Sequence, residues 1–258
     1  MSKTTRSPCL VCDRGPRDTA LATTTDERGT RRYCHRCGYV SIENYERRPL
    51  ESPIRATKAA QVDWSALAES IWRRTSALRG TLGETYLHHR GCALPPPDSH
   101  VRFLPATDKH PPSLCAAITD AVTAQQISLH FTRLAADGHG KAGTDRDKSL
   151  LAGHRKRGGC VRIWSDEAVT YGLAIAEGIE TALAAAHAFT PTWAAIDAGN
   201  MASFPLLAGI EALTVFADHD DAGLTAAATL ARRWADAGRE VLIVSPGVAG
   251  QDIADVVA

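Results

Sequence analysis

The 258 residues are 44% hydrophobic and 22% charged, the proportions of an ordinary globular protein, which excludes a disordered or fibrous chain. No stretch reaches the ~18 uninterrupted apolar residues of a membrane span, and Met1–Arg6 leads into no apolar signal core, so the expected location is the cytoplasm, with no membrane partner. In a reducing compartment seven cysteines are not a disulfide framework, and regular spacing among them points to metal or redox chemistry. The zero net charge hides an asymmetry. Residues 1–60 carry 12 Lys/Arg against 7 Asp/Glu, residues 61–165 carry 14 against 9, and residues 166–258 carry 3 against 13. A basic front favours a polyanion, whereas the acidic C-terminal part would repel one unless metal ions intervene.

At the N-terminus, Cys9-Leu-Val-Cys12 and Cys34-His-Arg-Cys37 form two Cys-x-x-Cys knuckles 21 residues apart. Two such knuckles complete a closed tetrahedral zinc site, structural or recognitional because no position is left open for catalysis. Paired redox dithiols are the alternative reading, and His35 is a possible substitute ligand. Leu21–Thr25 and Thr30–Tyr33 flank Asp26-Glu-Arg-Gly29 as a hairpin, so residues 1–46 are expected to form a zinc ribbon, with Arg28, Arg31, Arg32 and Arg36 placed to meet phosphates. Cys92, Cys115 and Cys160 have no ligand spacing and read as buried small side chains. Residues 47–61, with Pro49 and Pro53, read as a linker.

Residues 62–165 read as a basic, mixed α+β domain. A helix is expected from Val62, capped by Asp63, with Trp64, Leu67, Ala68, Ile71 and Leu78 on one face and Gly80 as terminator. Apolar segments follow at Val101–Leu104 and Ile127–Leu134. Gly138 to Gly143 has P-loop spacing, but Thr144 stands where the lysine must be, so no ATPase site is expected.

Residues 166–258 alternate short apolar runs with helical ones, the pattern of βα units around a mostly parallel sheet. Strands are expected at Gly172–Ala176, Thr192–Ile196, Leu213–Ala217 and Glu240–Val244. Helices are expected at Glu180–Ala188 and Ala222–Ala237, the second burying Leu224, Ala227, Ala228, Ala231 and Trp234 and ending at Gly238. Glu177-Gly-Ile-Glu180-Thr follows the first strand and Asp218-His-Asp220-Asp-Ala-Gly223 follows the third. Acids just past strand C-termini sit where open α/β sheets bind ligands. Glu177, Asp218 and Asp220 together would repel strongly without a cation, which makes them a hard-oxygen site suited to Mg²⁺ or Mn²⁺ and, through it, to phosphates.

These motifs resemble the Toprim domain shared by bacterial-type DNA primases, topoisomerases and some nucleases. Gly172–Ala188, Ala194–Asn200 and Pro246–Val257 are similar to its phage and mobile-element variant. The resemblance implies a Rossmann-like sheet, metal binding and catalysis by Glu177, Asp218 and Asp220, and a further acidic pair at Asp252, also a metal ligand, and Asp255; Glu180 fits the phage-type pattern. The middle resembles the same primases from Thr85-Tyr-Leu87 through Leu129-His130, Asp137-Gly138 and Gly158–Arg162. It implies that Arg133, Lys141, Lys148 and Arg157 face template or triphosphate across a groove from the acids, although Phe131 stands where relatives tend to have Arg.

The implied function is a phage or mobile-element DNA primase, a nucleotidyltransferase making short RNA primers on single-stranded DNA from ribonucleoside triphosphates. Zn²⁺ would be structural and Mg²⁺ or Mn²⁺ catalytic, and with no ATPase site in the chain a separate replicative helicase is the expected partner. The alternatives are a Toprim-type metal-dependent nuclease and a non-catalytic zinc-ribbon nucleic-acid-binding protein. A haloacid-dehalogenase phosphatase fits poorly, because its Asp-x-Asp lies on the first strand.

Overall fold

The chain divides into two units, residues 1–58 and 59–258. In this computed structural model the described residues are 3–9, 11–12, 15–16, 18–26, 29–34, 37, 39–43 and 62–257. Arg28, His35, Arg36, Gly38 and the expected linker 47–61 lie outside them.

The first unit is a four-stranded antiparallel sheet, β1 (Lys3–Ser7), β2 (Leu21–Asp26), β3 (Gly29–Cys34) and β4 (Val40–Glu43), ordered as in the sequence. β2 and β3 form the expected hairpin, paired from Leu21 opposite Cys34 to Asp26 opposite Gly29. Gly29, at φ 133°, takes a backbone conformation that an L side chain resists. Threonine pairs cross the strands, with Thr4 and Thr24 hydroxyls 3.0 Å apart and Thr25 and Thr30 3.1 Å apart.

In the second unit, helix α1 runs from Ala66 to Arg73 and not from Val62 to Gly80. Ser65 displaces the expected Asp63 as cap, its hydroxyl accepting from the Ala68 amide at 3.2 Å, while Asp63 instead pairs with Arg155 at 2.8 Å. The β-branched Thr75 and the turn at Gly80 (φ 74°) follow the helix end. A second helix, α2 (Leu82–His89), begins there. Thr81 caps it by accepting from Gly83, and Glu84 reaches back to the Gly80 amide at 2.6 Å, a variant of the capping box.

Strands β5 (Val101–Leu104), β6 (Ser113–Asp120), β7 (Gln126–Arg133) and β8 (Lys148–Leu150) form an antiparallel sheet, to which β9 (Gly159–Cys160) adds alongside β6. β6 lies at the centre, buried on both faces, so its apolar run shows no alternation.

The C-terminal sheet holds β10 (Gly172–Ala176), β11 (Thr192–Ala194), β12 (Ala212–Phe216) and β13 (Glu240–Val244), all parallel, in the order β11-β10-β12-β13. Helices α3 (Ile179–Ala185), α4 (Ala198–Ala202), α5 (Asp221–Asp236) and α6 (Ile253–Val257) complete the βα pattern. The buried stripe of α5 is Gly223, Ala226, Ala227, Leu230 and Trp234; Ala228 is exposed and Leu224 and Ala231 only half-buried, which corrects the expected face by about one position. Gly238 follows the helix at φ 78°, its amide on the Ala235 carbonyl at 2.9 Å, as expected.

The middle sheet and the C-terminal sheet share one core. Leu87, Leu114, Ile118 and Val161 from the one pack with Ala176, Ile179, Leu183 and Phe216 from the other. Arg162, buried at 5% exposure, bonds Asp166 (2.7 Å), the Asp120 and Ala121 carbonyls (both 3.0 Å), and lies 4.5 Å from the Trp193 ring centre. Among the described residues, no helix is long and apolar enough to cross a membrane.

Candidate metal centres and substrate cleft

In the first unit the knuckles bring all four sulfurs within 4.8 Å of one another. Cys9 Sγ lies 3.7 Å from Cys37 Sγ and Cys12 Sγ 3.8 Å from Cys34 Sγ. A tetrahedron with metal–sulfur bonds of ~2.3 Å has edges of about 3.8 Å, so the cluster has the dimensions of a closed zinc site. Cys9 and Cys34 are buried, Cys37 exposed. Desolvation and then the neighbouring sulfurs push the Cys12 thiol up to about 12, a cost of gathering these groups that a divalent cation offsets. Arg32, one of the expected phosphate-facing cations, is paired to Glu43 at 2.5 Å. Cys92, Cys115 and Cys160 are buried, as their spacing implied.

In the second unit the acids gather past the C-terminal ends of β10 and β12. Glu177, directly after β10, is half-buried; burial raises its pKa, Asp218 and Asp220 raise it further, and the Ala198 amide opposes them. Asp218, after β12, is pushed up to about 6 by burial first, then by Asp252 and Asp220. Its Oδ1 accepts from the Thr181 hydroxyl at 3.5 Å. Asp220 also caps α5, its Oδ1 accepting from the Gly223 amide at 2.7 Å. Gly223 is required there, since a Cβ would stand 2.6 Å from the Asp218 carbonyl oxygen.

His219 ties the loop of residues 246–252 to this edge. Its Nδ1 lies 2.7 Å from the Pro246 carbonyl, and its backbone exchanges bonds with Gln251 (2.9 Å) and Gly250 (2.7 Å). The result is an acidic hollow of about 120 Å³ that includes Asp218, Asp220, Asp252 and Asp255. Asp252 and Asp255 cap each other's backbone amides, at 2.9 and 3.1 Å. The carboxylates thus adjoin one another without converging as the sulfurs do. Their mutual repulsion, an all-oxygen donor set and half-burial fit a hydrated hard divalent cation of the Mg²⁺ type.

Of the expected cations, Lys148 reaches this edge. Its ammonium lies 3.0 Å from Glu180 Oε2 and its charge acts on Asp218 as well. Glu180, buried on the first turn of α3, also accepts from the Tyr86 phenol at 3.1 Å. Burial raises the Glu180 pKa, but Lys148 and hydrogen bonds outweigh it and hold it at about 2. Lys141 is exposed and acts electrostatically on Glu180.

Arg157 is exposed. Arg133 lies elsewhere. Thr132 is the register partner of Lys148, and side chains alternate along a strand, so Arg133 projects from the other face of β7. The residues from Gly138 to Thr144 cradle no phosphate, because the Gly143 and Thr144 amides already donate to Asp147 at 3.2 and 2.8 Å.

Two contributors carried no sequence signal. Lys156 pairs with Asp197, whose carboxyl acts on Glu177. Ile196, β-branched yet at φ 82°, turns the chain into Asp197, a strained conformation of a kind that concentrates at functional sites.

Two family models match. One, described as a domain of unknown function (DUF7146), covers residues 63–163. The other is described as a Toprim domain and covers residues 172–258, the stretch that holds the parallel sheet together with Glu177, Glu180, Asp218, Asp220, Asp252 and Asp255. Residues 172–258 are a Toprim domain. No curated protein matches the chain. Among solved structures, the zinc-binding and RNA polymerase domains of the Aquifex aeolicus primase match at 14% identity and a TM-score of 0.46, over 98% of this chain and 75% of that one. The primase fragment of the bacteriophage T7 primase-helicase matches at 14% identity and 0.42, over 97% and 92%. A DNA primase domain from Pseudomonas aeruginosa matches at 14% and 0.40, over 75% of this chain and 58% of its own length.

Proposed function

We propose that the protein is a DNA primase of phage or mobile-element type, joining ribonucleotides on single-stranded DNA. The observation that carries this reading is the meeting of two opposite charges at one sheet edge: the half-buried Toprim carboxylates Glu177 and Asp218, and the ammonium of Lys148 brought to them from the middle sheet. Acids alone suit metal-assisted hydrolysis, but an adjoining fixed cation suits a substrate that carries its own triphosphate.

Glu177, Asp218, Asp220 and Asp252 would hold Mg²⁺ or Mn²⁺. That ion supplies Lewis acidity, lowering the pKa of the attacking 3′-hydroxyl and neutralising charge on the phosphates. Lys148, oriented by the buried Glu180, meets the triphosphate, and exposed Lys141 adds positive potential. Burial and the neighbouring Asp218 and Asp220 raise the Glu177 pKa, a penalty on its charged form that a bound cation would offset. The four cysteines hold structural Zn²⁺ in a template-docking ribbon. Ribonucleoside triphosphates and single-stranded DNA are the substrates, a separate replicative helicase is the partner, and the cytoplasm is the place of action.

Incorporation of labelled ribonucleotides on mixed-sequence single-stranded DNA, with Mg²⁺ or Mn²⁺, tests the reading. Short products made by the wild type and lost in Asp218→Asn are expected. Loss of the DNA itself in the absence of ribonucleotides would replace the primase with a nuclease. A biological activity untouched by Asp218→Asn and Glu177→Gln would leave a binding protein.

A further inference from the structure

Helix α1 is only eight residues long and covers part of the outer face of the middle sheet, where Ala68 and its neighbours pack on Cys115, Ala117 and Leu129. Beyond its end the sheet is left open, and a cavity of about 470 Å³ lies between α1 and strands β5, β7 and β8. That size falls in the ~300–1,000 Å³ range of small-ligand sites. Its walls are apolar, formed by Ile71, Leu104, Phe131 and Leu151. Strand alternation puts it on the face of β7 opposite Lys148 and the Toprim acids, so it is no part of the cleft described above.

The two charged side chains lining it are of one kind. Arg74 and Arg133 line the cavity beside the imidazole of His110, and no Asp or Glu does among the described residues. Arg74 is exposed and has no carboxylate partner among the described residues, and Arg133 spends one guanidinium nitrogen on the Arg146 carbonyl. An apolar slot containing an aromatic ring, with two guanidiniums beside it, suits a ligand with a flat apolar body and a phosphate head, since guanidinium binds phosphate in bidentate fashion. The hydroxyl of Ser149, directly opposite Phe131 in the β7–β8 register, can meet a polar ring edge, which a saturated acyl chain would leave unused.

We propose that this cavity binds a nucleoside phosphate, the base against Phe131 and the phosphate between Arg74 and Arg133. The site is separate from the Toprim acids, and the inference does not depend on the reaction they carry. The occupant is an effector or a nucleotide in transit rather than the reacting triphosphate.

Calorimetric titration of the full chain in EDTA, with AMP and GMP, tests it. Saturable binding of at least one nucleotide is expected, with adenosine (no phosphate) and ribose 5-phosphate (no base) each weaker by about tenfold or more. Arg74→Glu and Leu67→Glu, at exposed positions on the cavity wall where folding is not at stake, should weaken nucleotide binding by a similar factor, while Asp218→Asn leaves it unchanged. No binding would overturn the proposal. So would equal binding of ribose 5-phosphate, tighter binding of dodecyl phosphate than of AMP, or nucleotide binding abolished by Lys148→Ala and indifferent to Arg74→Glu.

Discussion

The two candidate metal centres are built on opposite plans. In the N-terminal unit four sulfurs converge within 4.8 Å, and among the described residues the buried core around them is Cys9, Leu21 and Cys34. In the Toprim domain the carboxylates stand apart, one capping a helix, one half-buried, two capping each other, on a sheet whose core is complete without them. A core that consists of the ligands needs its metal to fold, whereas a site added at the edge of a finished sheet needs its metal only to react.

The largest expected effect follows at the sulfur cluster. Cys34→Ser should unfold the N-terminal unit and release zinc, with an apparent loss on the order of 10 kcal/mol, the scale of structural zinc binding. Metal content and loss of near-UV signal from Tyr33 and Tyr39 report it; a variant that keeps its zinc and its fold would break the contrast. Next is Glu180→Ala, which removes the acceptor of Lys148 and Tyr86 inside the shared core and should cost about 2–3 kcal/mol in a urea melt.

The same residue sets a pH dependence. Its folded pKa, about 2, lies below the ordinary 4.5, so its stabilisation is present above about pH 4.5 and fades as pH falls toward 2. Glu180→Gln should flatten that acid limb; an unchanged limb between pH 4.5 and 2 would show that the pair with Lys148 contributes nothing. Gly223→Ala should cost roughly 1–3 kcal/mol, because its Cβ must push away the Asp218 carbonyl, and thermal melts will rank it between Glu180→Ala and silent changes.

The smallest effect sharpens the comparison most. Asp218→Asn should leave the fold intact, with a melting temperature equal to or above the wild type in EDTA because one repulsive carboxylate is gone, while Mn²⁺ affinity in a paramagnetic titration falls by about tenfold or more. A destabilised Asp218→Asn would mean that the acids hold the fold together after all.

Much of this architecture was readable in one dimension. The strands Gly172–Ala176 and Glu240–Val244 lie where periodicity placed them, the hairpin around residues 26–29 lies where its turn residues placed it, and Gly238 ends its helix. Thr81-Leu-Gly-Glu84 carried a capping signal for α2 that the apolar pattern from Val62 to Leu78 obscured. β6 escaped because a strand buried on both faces has no polar alternation to reveal it.

Whatever depends on spacing could be read from the order of the residues. Two cysteines three apart must wrap one ion, and a small-residue helix after an acidic turn must begin at the edge of a parallel sheet. Whatever depends on the face a residue occupies came from the packing of the sheets. Lys148 and Arg133 look alike as basic residues of one segment, yet strand pairing sends the first to Glu180 and the Toprim acids and the second to a cavity on the far face. Asp220 stands beside Asp218 and also caps α5 through one carboxylate oxygen, and Asp197 finds Lys156 from a distant stretch of the chain. Local spacing acts through bonds and is written in order along the chain; facing, pairing and charge proximity act through space and exist once the two sheets share a core.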